Sequence, residues 1–327
     1  GGRMQIETDT VEIISGVRNG QTLGTPISFL IRNQDYDNWQ EIMASGQCPR
    51  IQDRTVYRPR PGHADLAGAM KYDHKDMRNI LERASARETA ARVAAAAFFR
   101  QFLHVFDIYF YSQVVSIADI RAEIGGINVN NWQEYYERLE ASPVRCIDPQ
   151  AEKEMIKRID SARSEGESLG GSFELGALGV LPGLGSHTCW ETRLDAAIAS
   201  ALMSIPAIKA VEIGEGITGS CKPGSQVHDE ILFDEQRGIC RESNNAGGIE
   251  GGISNGETIW ARAYMKPIPT LYKPLRSVNT IEWRVEKAVV ERSDVCVVPA
   301  AAVVGEAMLS FVIARAFLDK FGGDSIS

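Results

Sequence analysis

Between Arg58 and Ala97 the chain concentrates residues able to do acid–base chemistry on an anion: RPRPGHADLAGAMKYDHKDMRNILERASARETAARVAAAA. Arg58, Arg60 and His63 stand on an arm stiffened by Pro59 and Pro61, which fix their own φ and push the residues before them out of helix. Gly62 supplies a tight turn. Further along, Arg83 and Arg87 bracket Ser85. Guanidiniums are permanently charged forks matched to phosphate and carboxylate, and imidazole is the side chain whose ordinary pKa lies near neutrality. Plainer explanations exist for the same residues. His63 could make a structural hydrogen bond, while Arg60, Arg83, Arg87 and Arg292 could be surface cations paired with Glu82, Glu88 and Glu291. Asp294, close to Arg292, reads on its own as an ion-pair or helix-start carboxylate.

These residues need elements to hold them. From about Asp76 the absence of Pro and Gly predicts one long helix, with Arg83 and Arg87 at i,i+4 on one face. It runs into Ala94, Ala95, Ala96 and Ala97, whose small side chains admit close neighbours. Residues 11–15 and 26–31 read as an antiparallel ribbon around an Asn19-Gly20 turn, and 35–51 as a loop with one short helix. Strands are expected at 106–116, 172–180, 207–213 and 258–265. Helices are expected near 150–165, 191–204 and 300–321, the last stopped by Gly322-Gly323. Helices that are small or apolar on most faces must be buried on most faces, whereas the strands alternate as if each sheet had one wet side. The class is α+β, in a pattern that favours helices lying between sheets. Glycines 247, 248, 251, 252 and 256 do not form a GxGxxG turn between strand and helix, so they carry no dinucleotide fingerprint.

With 327 residues, 44% hydrophobic and 24% charged, the chain can bury a substantial core. Its net charge of −8 argues against a general nucleic-acid binder, which needs a basic surface. No Pro- or Ser-rich linker divides it, so one domain over 1–327 is expected, with 119–170 as a peripheral polar insertion. The six cysteines contain no CxxC. Neither a metal site nor a disulfide framework is indicated, and free thiols in a cytoplasmic protein are the simplest expectation. The longest apolar stretch, 297–313, is interrupted by Pro299, Gly305, Glu306 and Ser310, which suits a buried helix and not a membrane span. No signal peptide opens the sequence.

Five motifs, in order along nearly the whole chain, resemble the chorismate synthase family: RPGHAD (60–65), RASARET (83–89), SNNAGGIEGGISNG (243–256), KPIPT (266–270) and RSDVCVVPAAAVVGEAM (292–308). The resemblance implies a β-α-β sandwich, a helical layer between two antiparallel sheets. It implies a 1,4-anti elimination of phosphate from 5-enolpyruvylshikimate 3-phosphate to give chorismate, using reduced FMN without net redox change. Catalytic roles then fall to His63 and Asp294, and substrate binding to Arg3, Arg60, Arg87 and Arg292. FMN would be bound by Arg83, Ala84, Ser85, Pro206, Ala207, Gly251, Lys266, Pro267, Ile268, Pro269, Thr270 and Arg292. A homotetramer is implied too, with NADPH as one source of flavin reduction. His187 and His228 lie in matched regions and receive no chemical role. The family begins with a GESHG-like segment carrying a second catalytic His, whereas this sequence starts at Gly1-Gly2-Arg3-Met4; such a segment is expected ahead of it. Two rivals remain: an FMN oxidoreductase, marked by net hydride transfer, and a non-enzymatic assembly protein with an anion-binding patch.

Overall fold

The computed structural model describes residues 9–235 and 238–325. Among them the helices are α1 (Asp65–Tyr72), α2 (Arg78–Leu81), α3 (Thr89–His104), α4 (Trp132–Ala141), α5 (Pro149–Glu165), α6 (Leu194–Met203), α7 (Gly216–Gly219) and α8 (Val298–Phe321). Helices and antiparallel strands together make an α+β protein. The chain divides into two compact units: Gly1–Ala90, Ser161–Ser168 and Ile268–Val295 form the first, and Ala91–Asp160, Leu169–Pro267 and Cys296–Ser327 the second.

The second unit holds an antiparallel sheet in the order Ile120–Arg121, Tyr109–Ile117, Gly171–Leu178, Ile259–Met265, Ile208–Ile213. Strand alternation sends Phe173 and Leu175 to the face covered by α8 and Glu174 to the other. At Gly305 the helix lies so close that a Cβ would come within 2.7 Å of Phe173 and 2.9 Å of Leu175, so only glycine permits this approach. Val298, Ala302, Leu309, Ile313 and Phe317 of α8 are buried, as are Leu194, Ile198 and Leu202 of α6. Phe99 and Phe102 of α3 pack on Phe311 and Phe317. Full burial of each large apolar side chain stabilises by about 1.5–3 kcal/mol, which explains why α8 is apolar nearly all round. It is long and apolar enough to cross a membrane, but 67% of its most apolar window is buried inside the protein. The sheet's opposite face is polar: Glu174 accepts from Gln113 (3.1 Å), Arg262 (3.0 Å) and Tyr111 (3.3 Å).

Residues 119–170 place more in the interior than their composition suggested. Tyr135 and Leu139 of α4, Met155 and Ala162 of α5, and Val144, Arg145 and Cys146 between them are buried. Both helices are amphipathic, so their polar average concealed an apolar stripe.

In the first unit Val11–Ser15 pairs with Ser28–Ile31, and between them Asn19 (φ 50°) and Gly20 (φ 73°) turn a short hairpin, as the Asn-Gly signal predicts. The long helix expected from Asp76 does not form. After α2 the backbone leaves helix, Ser85 is extended (φ −66°, ψ 138°), and its side chain accepts from the Arg87 N–H to cap a short 3₁₀ turn at Ala86–Glu88 before α3 starts. Ser85 offers the backbone a local hydrogen bond that competes with the helical ladder, so Arg83 and Arg87 do not share a helical face. The arm is held by backbone bonds: Met77 N–H donates to the Val56 carbonyl (3.0 Å) and Thr280 N–H to that of Tyr57 (3.1 Å). Ser277, on a hairpin of Arg276–Asn279 and Arg284–Lys287, donates to the Pro59 carbonyl at 2.5 Å. Val56, Ala69 and Met77 form the small core beneath the arm.

Candidate active site

Arg60-Pro61-Gly62-His63 is a reverse turn. Pro61 sets φ, Gly62 sits at φ +82°, and His63 N–H closes the turn on the Arg60 carbonyl at 3.2 Å, the pattern of a type II turn. The turn brings the side chains of Arg60 and His63 to one side, and Ala64 then leads directly into α1, whose first residue is Asp65. A carboxylate at a helix N-terminus is favoured by the unpaired N–H groups and the helix dipole.

Asp65 is fully buried. Its Oδ2 accepts from Arg60 N–H and Nε, both at 3.0 Å, and its Oδ1 from Arg60 Nη2 at 3.2 Å and His63 Nδ1 at 2.5 Å. Arg60 Nη1 donates to Thr270 Oγ1 at 2.7 Å. Burial alone would raise the Asp65 pKa, yet the hydrogen bonds from His63 and Arg60 outweigh it and hold the carboxyl well below the usual range. Arg60 is 7% exposed, so most of its fork is spent inside the protein. His63 keeps 16% of its side chain exposed, so the imidazole is the cluster's contact with solvent.

The first unit also carries Arg83, Ala84, Ser85, Arg87, Ile268, Pro269, Arg292 and Asp294. Arg83 is exposed and makes no ion pair among the described residues. Arg87 grips Asp9 through two bonds of 2.6 and 2.7 Å, the bidentate geometry that a substrate carboxylate or phosphate would use. Glu82 and Glu291, suggested as partners of the motif arginines, instead flank buried Arg78 at 3.0 Å each. Tyr272 OH donates to the Ser293 carbonyl at 3.3 Å, which ties the Arg292–Asp294 stretch to the one following Thr270. Asp294 is half-buried, and no hydrogen bond joins it to His63.

The second unit carries Pro206, Ala207, Gly251, Lys266 and Pro267, so the Lys266–Thr270 motif divides after Pro267. Lys266 N–H donates to the Ala207 carbonyl at 3.0 Å, and Ala207 has φ +69°, a left-handed conformation uncommon outside glycine. Gly251 has φ +59° and open space where a Cβ would stand. Arg3 lies outside the described residues. All six cysteines are free. Asp65 carried no expected role; its signal was His63-x-Asp65 beside an Arg-Pro-Gly turn, three groups able to meet only if the chain turns there.

These features define an α+β enzyme whose site combines fixed positive charge with one imidazole. The family model for chorismate synthase matches residues 1–318. A chorismate synthase of Syntrophomonas wolfei is 66% identical over all of this chain and 82% of its own length, and one of Desulforamulus reducens is 54% identical over all of this chain and 84% of its own. A solved chorismate synthase structure superposes with a TM-score of 0.76 at 45% identity, covering 97% of this chain and 80% of that one. The chain belongs to the chorismate synthase family, carbon–oxygen lyases of the shikimate pathway that act on a small anionic substrate.

Proposed function

We propose that the protein eliminates phosphate from 5-enolpyruvylshikimate 3-phosphate in a 1,4-anti sense, with reduced FMN as cofactor. The observation that carries this reading is the buried Arg60–Asp65–His63–Thr270 cluster, in which two separate family motifs meet around one imidazole. When bound, reduced FMN supplies electron density to the reacting ring and takes it back. The chain's residues fit such a group. Arg83 is an exposed cation suited to an anionic cofactor, Ser85 and Arg87 are fixed by the cap between them, and Gly251 leaves its backbone open to a planar ligand. Ala84, Pro206, Ala207, Lys266, Pro267, Ile268, Pro269 and Thr270 complete the cofactor-binding set.

Arg87 and Arg292 bind the substrate's phosphate and carboxylates, and Arg3 belongs with them. Arg60 acts mainly from below, through its charge and its hold on Asp65. His63 and Asp294 handle the protons. We further propose a cytoplasmic homotetramer. Its support is the exposure of Phe233 (76%) and Ile239 (71%), cross-strand partners on one hairpin, since apolar patches of this kind mark interfaces. NADPH is proposed as a reductant for the flavin.

The test is a fluorescence titration of FMN with and without 5-enolpyruvylshikimate 3-phosphate, followed by an anaerobic assay with pre-reduced FMN. Tighter flavin binding in the presence of substrate, and chorismate formation without net flavin oxidation, are expected. Absence of flavin binding would sink the proposal.

A further inference from the structure

One hydrogen-bond role at His63 is fixed by its carboxylate partner. An ionised carboxylate can only accept, so the 2.5 Å contact with Asp65 Oδ1 requires the proton on His63 Nδ1. A guanidinium can only donate. Arg60 Nη2 lies 3.1 Å from Nδ1 and 3.3 Å from Nε2. Nearly equidistant from the two ring nitrogens, Nη2 lies over the imidazole ring and not along the in-plane lone pair of Nε2. The Asp65 contact therefore fixes one ring proton on Nδ1 and leaves Nε2 as the nitrogen that Asp65 does not engage.

The charges of Arg60 and Asp65 cancel each other, and both are buried. Beside this internally neutral pair, His63 is the member of the cluster that reaches solvent. Asp65 cannot drift, because four donor contacts and the first turn of α1 hold it.

We propose that Asp65 is the positioning residue of His63: it takes the Nδ1 proton as a hydrogen bond and thereby leaves Nε2 as the nitrogen that accepts a proton during turnover. Arg60 holds Asp65 in place for this role, and Thr270 in turn receives the Arg60 guanidinium. The inference rests on the proposed acid–base role of His63, but its test does not.

Solid-state nitrogen-15 NMR of histidine-labelled full-chain protein reads the tautomer directly, with the His63 signal assigned by its loss in His63→Ala. The resting protein is expected to show a neutral Nδ1–H ring, and Asp65→Ala to shift it toward the Nε2–H form that dominates for free imidazole. In turnover assays, Asp65→Asn is expected to lower kcat while KM for 5-enolpyruvylshikimate 3-phosphate changes less than about threefold. The fall in kcat is bounded by the roughly 100- to 10,000-fold that a general acid–base group contributes. A structural role for Asp65 would reduce folded protein without moving the tautomer. An Nε2–H or doubly protonated ring in the wild-type protein overturns the inference whether or not the Asp65 variants fold, as does an unchanged Nδ1–H ring in folded Asp65→Ala. Wild-type turnover by His63→Ala would instead overturn the acid–base reading of His63.

Discussion

Two buried arginine–carboxylate clusters in this protein look alike and differ in one decisive respect. In the second unit, Glu306 interrupts the apolar face of α8 and is 1% exposed. Its Oε1 accepts from Arg100 Nη1 (2.5 Å) and Tyr136 OH (3.4 Å), and its Oε2 from Ser112 Oγ (2.8 Å) and Arg145 Nη2 (3.1 Å). Burial would lower the pKa of both guanidiniums, but Glu306 beside them raises it instead. Every partner there is a donor that stays protonated at neutral pH, and the cluster only fastens α3, α8 and the neighbouring strand together. In the first unit the same pairing of Arg with a buried carboxylate has an imidazole as third member. One ring nitrogen is tied to Asp65, and the ring keeps a solvent-exposed part. Burial and charge therefore identify clusters that hold the fold, whereas a proton can be moved only where a titratable group keeps an uncommitted valence.

Substitution should separate the two clusters sharply. His63→Ala is expected to slow chorismate formation about 100- to 10,000-fold, a barrier increase of roughly 2.7–5.5 kcal/mol, while thermal unfolding changes little. Asp294→Ala should follow His63→Ala if Asp294 handles a proton. A rate close to wild type with a lowered unfolding temperature would make it a structural carboxylate. Glu306→Ala should do the reverse of His63→Ala: half-buried Arg100 loses its carboxylate and buried Arg145 keeps only Glu140, stability falls by up to about 3–5 kcal/mol in denaturant titration, and the remaining folded protein turns over at nearly the normal rate. Equal rate losses in the His63 and Glu306 variants would erase the distinction.

Acid sharpens the comparison from another side. The folded-state pKa of Asp65 is depressed, so its ionised form contributes stability that is fully present above its ordinary value of about 4 and is lost as pH falls below that. Asp65→Asn should therefore show a shallower decline of stability below about pH 4 than the wild type, measured as urea midpoints at successive pH values. Parallel curves would mean that Asp65 is not held ionised by the fold. The smallest effect is expected at Ser85→Ala, which removes the cap on the Arg87 N–H and should cost about 0.5–2 kcal/mol. Flavin affinity should weaken alongside it if the same turn positions Arg83.

Much of the site was legible from local chemistry. Pro and Gly at the centre of Arg60-Pro61-Gly62-His63 specify a turn whose φ values few other residues allow, so the closeness of Arg60 and His63 follows from adjacent residues alone. The same holds for the Asn19-Gly20 hairpin and for α8, whose apolar surface has no stable place except an interior. Local reasoning failed where two local preferences competed. Nothing in the periodicity of residues 76–104 announced that Ser85 would take the Arg87 N–H and break the helix, because a Ser within such a run can equally point to solvent. It also failed for short strands such as Ile231–Asp234 and Gly238–Arg241, whose pairing adds little pattern to the sequence.

The sequence by itself determined the family, the α+β class, the turn that joins Arg60 to His63, and the buried character of α8. Tertiary structure alone decided that Thr270, 210 positions away, would receive the Arg60 guanidinium, and that Glu306 would meet Arg100 and Arg145 across more than 160 positions. It also decided that Asp65 would be fully buried between Arg60 and His63. The reason is that a turn or a helix stripe is written in neighbouring residues, whereas the partner of a buried charge is selected by which distant segments pack closely enough to exclude water around it.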